Sequence, residues 1–177
     1  MELLIVRHAE AVDEAPGLGD AGRWLTAKGR RVTRKIGRWL CDRAKGAPPD
    51  HERRPVAIWT SPLVRAVQTA DILAEALDLD GELRACAELS PVHDPRDVLR
   101  RLSELETQGP LALVGHEPGL SVLAKTLLGD VPWPGFKKSA VLGVRWSKTG
   151  LARFRFLLQP KELTLVTDLA ALADPTD

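Results

Sequence analysis

Cysteine is scarce in this chain: Cys41 and Cys86 are the only two in 177 residues, and neither stands in a CxxC pair or at Cys/His ligand spacing. That excludes a disulfide framework and reads as reduced core thiols of an intracellular protein. Long apolar runs are also missing, since no stretch approaches the roughly 20 residues that span a bilayer. The opening MELLIV starts acidic, is short and runs straight into Arg7, so it does not read as a signal peptide, and a cytoplasmic location is expected. An excess of one charge sign is lacking too. A net charge of +1 provides no global field for nucleic acid or membrane, so any anion site must come from a local cluster. There is no internal repeat and no low-complexity segment.

What is present suits one compact domain over residues 1–177, because a chain of about 150 residues buries roughly 70% of its unfolded surface without staples. Residues 2–7 form a short apolar run, fit for a strand covered on both faces. From Thr26, which can cap a first turn, Val32, Ile36, Trp39 and Leu40 recur at helical spacing, and the arginines between them read as a solvated face. Prolines and charges at 45–55 mark an exposed loop. VAIWTSPLVRAVQTADILAEAL and PLALVGHEPGLSVLAKTLLGD each read as strand, turn, helix. Between them lie a loop with one short strand and an amphipathic helix, PRDVLRRLSELETQ, with Pro95 near its first turn. Residues 140–146 and 151–158 alternate around SKTG as a hairpin, a helix is expected over Lys161–Leu172, and the last residues fray. The alternation implies an α/β fold, a three-layer α/β/α sandwich with a mainly parallel central sheet.

Three strands end alike, in LIVRH, AIWTSPLVR and LALVGH. Ligands of open α/β sheets bind outside the carboxyl ends of parallel strands, so neighbouring strands would bring Arg7, His8, Arg65 and His116 to one edge. Two guanidiniums and two imidazoles suit a multiply charged phosphoryl group, because the planar guanidinium bonds phosphate oxygens in pairs and stays charged at working pH. Zinc fits poorly. The two histidines lie more than a hundred residues apart, lack a third ligand, and have arginines beside them that repel a cation.

RHAEA after the first strand, LTAKG opening the first helix, TSPLVRAVQTA and VGHEPGLS together resemble the histidine phosphatase superfamily, whose fold is shared with phosphoglycerate mutases. The likeness runs from Met1 to the final hairpin, and RHAEA, ELSP, GHEPGLS and the short length are most similar to the SixA-type phosphohistidine phosphatases. The resemblance implies that His8 is a nucleophile that becomes a covalent phosphohistidine, and that Arg7, Arg65 and His116 hold the phosphoryl oxygens. Nearby guanidiniums should keep His8 unprotonated. Larger members protonate the leaving group with a carboxylic acid. The candidates here are Glu88 in AELSP, which can equally cap local structure or pair with an arginine, and Glu117 after His116.

A phosphoramidate nitrogen tolerates a poor acid, and only fifty positions separate Arg65 from His116, leaving little room for a helical lid. Both points favour phosphohistidine on a protein over a small phosphorylated metabolite, with neither metal nor cofactor required. A metabolite phosphatase or mutase and a non-catalytic phosphate-binding module are the alternatives, and the oligomeric state is not legible. Ser61, Gln68 and Thr69 read as bracing the turn, and Glu10 as orienting Arg7 or His8 or as structural. Lys137, Lys138 and Ser139, before the hairpin, read as a solvated stretch, or as reaching the pocket or meeting an acidic partner, and His51 and His93 are assigned no catalytic part.

Overall fold

The computed structural model describes residues 1–46, 54–104, 109–147 and 151–173. The apolar run at the start becomes β1 (Glu2–Arg7), the strand on which the site depends. It pairs in parallel with β4 (Leu111–Gly115) on one side and antiparallel with β5 (Val141–Arg145) on the other. With β2 (Ala57–Thr60), β3 (Glu82–Ala85), β6 (Arg153–Leu158) and β7 (Leu165–Val166), the sheet order is β3-β2-β4-β1-β5-β6-β7. β3, β2, β4 and β1 run parallel and β5, β6 and β7 alternate, so the sheet is mixed.

Continuous apolar strands are explained by the layers above and below them. Leu3, Ile5, Leu111 and Leu113 face a core completed by α3 (Arg96–Ser103) and α4 (Gly119–Leu128) through Val98, Leu102, Leu120 and Leu123. Val6, Ala112 and Val114 face the opposite core, filled by α1 (Ala27–Gly46) and α2 (Val64–Leu77) through Ile36, Leu40, Leu73 and Leu77. Successive side chains of a strand point to opposite faces, so both faces of β1 and β4 must be apolar. The result is the α/β/α sandwich expected.

Local signals set the helix starts. Thr26 Oγ1 accepts the amide of Gly29 at 2.9 Å, the N-cap contact expected of it. Pro95 sits immediately before α3. The α3 helix ends at Ser103, short of the span expected, and residues 105–108 of that segment lie outside the described residues. So do residues 47–53 of the charged loop, including His51, residues 148–150 of the hairpin turn, and the last four residues.

The expected helix over Lys161–Leu172 is replaced by two 3₁₀ turns, Lys161–Leu163 and Ala170–Ala173, flanking β7. Glu162 and Leu163 take positive φ of 54° and 55°, which an α-helix cannot propagate. The following Thr164-Leu165-Val166-Thr167 is rich in β-branched residues, and β7 covers the edge of β6.

One glycine is required by packing. A Cβ on Gly143 would lie 2.3 Å from Cε1 and 2.7 Å from Cδ1 of Phe156 in the neighbouring strand. The Phe156 ring is held against Trp39 and the Arg43 guanidinium, so it has nowhere to retreat. Gly143→Ala should therefore destabilise by about 1–3 kcal/mol in urea unfolding, the usual cost of overpacking. In a Phe156→Leu background the added cost should largely vanish, and equal penalties in both backgrounds would show that the ring is not the obstacle.

Candidate active site

Common register of the parallel strands builds the site. Arg7 pairs with Gly115 across β1 and β4, and Thr60 pairs with Val114 across β2 and β4. The next residues, His8, His116 and Ser61, therefore leave the sheet at the same edge, and all three are buried. Arg65, in the first turn of α2 and also buried, joins them from the turn that follows β2.

His8 is held at both ends. Its amide donates to the Gly115 carbonyl at 3.0 Å and its Nδ1 lies 2.7 Å from the Ala9 carbonyl oxygen. A carbonyl only accepts, so Nδ1 carries the proton and Nε2 is left with a free lone pair. Burial pushes the imidazole pKa down to about 4; the bond to Ala9 opposes this, and the charges of Arg65, Arg7 and Lys138 add to it. His8 is thus neutral at pH 7.

The second imidazole packs against the first. The His116 and His8 ring centroids are 4.8 Å apart at 51°. His116 Nε2 lies 2.8 Å from Ser61 Oγ, while its Nδ1 is buried without a hydrogen-bond partner among the described residues. Burial, then His8 and Arg65, lowers its pKa to about 3. The expected role of Ser61 as a turn brace is only part of its contact set, because the same hydroxyl accepts the Leu63 amide at 3.3 Å and orients His116.

The guanidiniums are aimed by groups distant in sequence. Arg7 Nη1 donates to the Phe136 carbonyl at 2.6 Å, and its buried Nε has no partner among the described residues. Arg65 donates to the Asp20 carbonyl at 2.7 Å and to Asp20 Oδ2 at 3.0 Å. Asp20 also receives Arg23, and the Arg65 hydrogen bond is the main cause that holds its carboxyl below the usual range. Neither Asp20 nor the Phe136 carbonyl was expected. The glycine-rich PGLGDAGRW carries no periodic signal, and a backbone acceptor 129 residues from Arg7 carries none at all.

Both carboxylates considered as proton donors are engaged elsewhere. Glu88 accepts from Arg101 Nη1 at 2.7 Å and from Cys86 Sγ at 3.0 Å. Its pKa is lowered to about 2, chiefly by the Cys86 bond, with its own backbone amide and Arg101 contributing. Glu117 accepts the Ser121 amide and hydroxyl at 3.1 and 2.7 Å and the Phe136 amide at 2.6 Å. It therefore fixes the very loop whose carbonyl holds Arg7.

The remaining residues brace. Thr69 Oγ1 accepts the Ala9 amide at 3.1 Å and donates to the Arg65 carbonyl at 2.7 Å, and Gln68 Oε1 accepts the Leu25 amide at 2.8 Å. Glu10 spends its carboxylate on Thr26 and Lys28, at 2.9 Å each, rather than on Arg7 or His8. Ser139 is buried, takes φ of 68°, and donates its amide to the carbonyls of Arg7 and His8. Lys137 and Lys138 are exposed; Lys138 is near enough for its charge to act on His8. His93 is exposed, on a small cavity that it shares with Glu88 and His116. Among the described residues no three His, Cys, Asp or Glu side chains group as metal ligands, and no helix is long and apolar enough to cross a membrane.

The depressed histidine pKa values make a stability prediction. Unfolded, both imidazoles take up protons as pH falls below 6.5, whereas the folded protein resists until about 4 at His8 and about 3 at His116. The unfolded state binds more protons in that window, so stability falls as pH drops, by up to about 1.4 kcal/mol per pH unit for each histidine. Urea titrations from pH 7 to 4 should show this slope, and His8→Gln should make it shallower. A slope unchanged in the variant would mean that His8 titrates normally.

The chain and its fold have known relatives. The family model of the histidine phosphatase superfamily (branch 1) matches residues 3–90. Phosphohistidine phosphatase SixA of Escherichia coli (strain K12) is 29% identical over 168 residues, 93% of this chain and 98% of the relative. The solved structure of the protein histidine phosphatase SixA complexed with tungstate superposes with a TM-score of 0.78 at 25% identity, covering 93% of this chain and all of that one. A phosphoglycerate mutase structure from Bacillus anthracis str. Sterne shares the fold, with a TM-score of 0.62 at 14% identity over 97% and 95% of the two chains. Buried His8, Arg65 and His116 with half-buried Arg7 at one sheet edge, on this fold and with these relatives, mean that the chain belongs to the histidine phosphatase superfamily and is a phosphatase.

Proposed function

We propose that this phosphatase hydrolyses phosphohistidine on a protein, without a metal, through a phosphorylated His8. The observation that carries the reading is the His8 imidazole itself, buried and neutral, with Nδ1 bonded to Ala9 and the Nε2 lone pair free beside two guanidiniums. Phosphoryl transfer asks for positioning and for stabilisation of charge on the equatorial oxygens, which Arg7 and Arg65 supply as fixed donors. We assign the Ser61 hydroxyl as the donor to Nε2 of His116, 2.8 Å away, which places a proton on the unpartnered Nδ1 for a third oxygen.

In the first step Nε2 of His8 bonds to phosphorus as the substrate P–N bond breaks, and the substrate imidazole leaves neutral, carrying the proton already on its ring. In the second, water attacks phosphorus, the P–N bond to His8 breaks, and inorganic phosphate departs with Nε2 again free. SixA, the phosphohistidine phosphatase of similar length named above, supports the substrate class. The weak acid set supports it too, because a protonated phosphoramidate nitrogen needs no strong acid to leave.

Rapid quench with labelled phosphohistidine protein should trap an acid-labile, alkali-stable adduct on His8, and His8→Ala should lose both adduct and turnover. Full activity should persist in EDTA. Faster turnover of 2,3-bisphosphoglycerate or p-nitrophenyl phosphate than of the phosphohistidine protein would transfer the reading to a metabolite phosphatase.

The leaving group gives a separate test. Glu88→Gln and Glu117→Gln should each slow phosphohistidine hydrolysis by no more than a few fold, whereas general acid catalysis typically contributes 10²–10⁴. A hundredfold loss at either residue, with an unchanged melting temperature and with loss of the basic limb of the pH–rate profile, would establish a protein acid and sink the argument from a nitrogen leaving group.

A further inference from the structure

The solvated face of α1 is more than solvated. Its twenty residues carry eight cationic side chains and a single acidic one, Asp42, in a chain whose net charge is only +1. Lys28, Arg31, Lys35 and Arg38 recur at three- and four-residue spacing, so they share one face along about 15 Å of helix, with Arg34 beside them. All five are exposed. Lys28 is paired with Glu10, but Arg31, Arg34, Lys35 and Arg38 enter no ion pair among the described residues. Like charges at this spacing repel one another and cost helix stability, so the pattern gains nothing for folding.

Position gives the face its meaning. One groove, lined by Glu10, Lys28, Val32, Lys138, Ser139 and Lys161, opens at the catalytic end, where the Ser139 amide bonds the His8 carbonyl and the Lys138 charge acts on the His8 ring. A second groove, lined by Arg31, Lys35, Arg38, Trp39 and Leu163 with Asp42 as its one carboxylate, continues it along α1. The 3₁₀ turn Lys161–Leu163 borders both. The cations thus form a track that leads away from His8.

We infer that this track docks an acidic face of the protein that presents the phosphohistidine, an inference that rests on the substrate class proposed above. A protein surface fits better than a polyanion of phosphates, because half-buried Val32, Trp39 and Leu163 lie among the cations and offer apolar contact. Complementary charge outside the reacting centre acts chiefly on encounter, so it raises kcat/KM and makes it sensitive to salt.

The test uses a small helical protein with one surface phosphohistidine, prepared with either glutamates or glutamines around that residue, and phosphoimidazole as a third substrate. At about 20 mM salt, where the Debye length exceeds 20 Å, the glutamate version should be hydrolysed with roughly tenfold or greater kcat/KM over the glutamine version. The gap should close in high salt. The R31E/K35E/R38E variant should abolish it with phosphoimidazole turnover within about twofold of wild type, since steering acts on charged macromolecular encounter; R31Q/K35Q/R38Q should narrow it in the same direction. Normal phosphoimidazole turnover with no preference between the two proteins overturns the docking track alone. Failure on all three phosphoramidates, with a phosphate ester hydrolysed, overturns the substrate class and the track with it. Tighter binding of the same face to phosphatidylserine vesicles or duplex DNA than to the glutamate protein assigns it to another partner and also overturns the inference.

Discussion

Desolvation of two guanidiniums, Arg65 buried and Arg7 half-buried, beside two buried imidazoles is the constraint around which the rest of the structure is arranged. Desolvated cations are costly unless something negative meets them, and the molecule meets them only in part. Arg65 has the Asp20 carboxylate, which sits on the outer, partly exposed side of the pair, and Arg7 has a neutral carbonyl from Phe136. Arg7 Nε and His116 Nδ1 remain buried without partners among the described residues. Groups so placed in a native fold call for an explanation, and a phosphoryl group that accepts from several donors at once is a sufficient one. Burial keeps both imidazoles neutral and the guanidinium charges add to it, so the same desolvated setting would serve both the anion binding and the nucleophile proposed for the site.

Holding those groups in place falls to residues with no substrate of their own to touch. Glu117 ties the Phe136 amide, whose residue's carbonyl ties Arg7; Thr69 ties Ala9 to the Arg65 backbone. A displacement at Ser121 would therefore reach Arg7 through three hydrogen bonds and one at Thr69 would reach Arg65 through one, and small misplacements matter where catalysis is largely orientation. Glu117, considered from its neighbour His116 as a proton donor, has the contacts of a positioning residue.

Legibility in the sequence followed the range of the interactions. The strand ends LIVRH, AIWTSPLVR and LALVGH were readable because strand and turn are local, and apolar runs on both faces mark β1, β4 and β2 as central parallel strands. The Thr26 cap was readable for the same reason. Asp20 on Arg65 and Phe136 on Arg7 were not, since each joins segments 45 or 129 residues apart through a loop without periodicity. The C-terminal segment misled because apolar residues in Lys161–Leu172 are compatible with helical spacing, while positive φ at Glu162 and Leu163 is set by the need to return a strand to β6. Tertiary pairing overrode local preference there.

Charge shows the limit of composition most sharply. A net charge of +1 is an average over a cationic α1 and a compensating acidic remainder, and it says nothing about where an anion would be met. Electrostatic attraction decays within about 8 Å at physiological ionic strength, so only the local sum counts at an encounter surface. For α1 that sum is large and lies on the face that the apolar core leaves outward, which the helical periodicity alone determines. The residues that build the core of this protein therefore also decide which side of the helix is free to present charge, and that side adjoins the groove at His8.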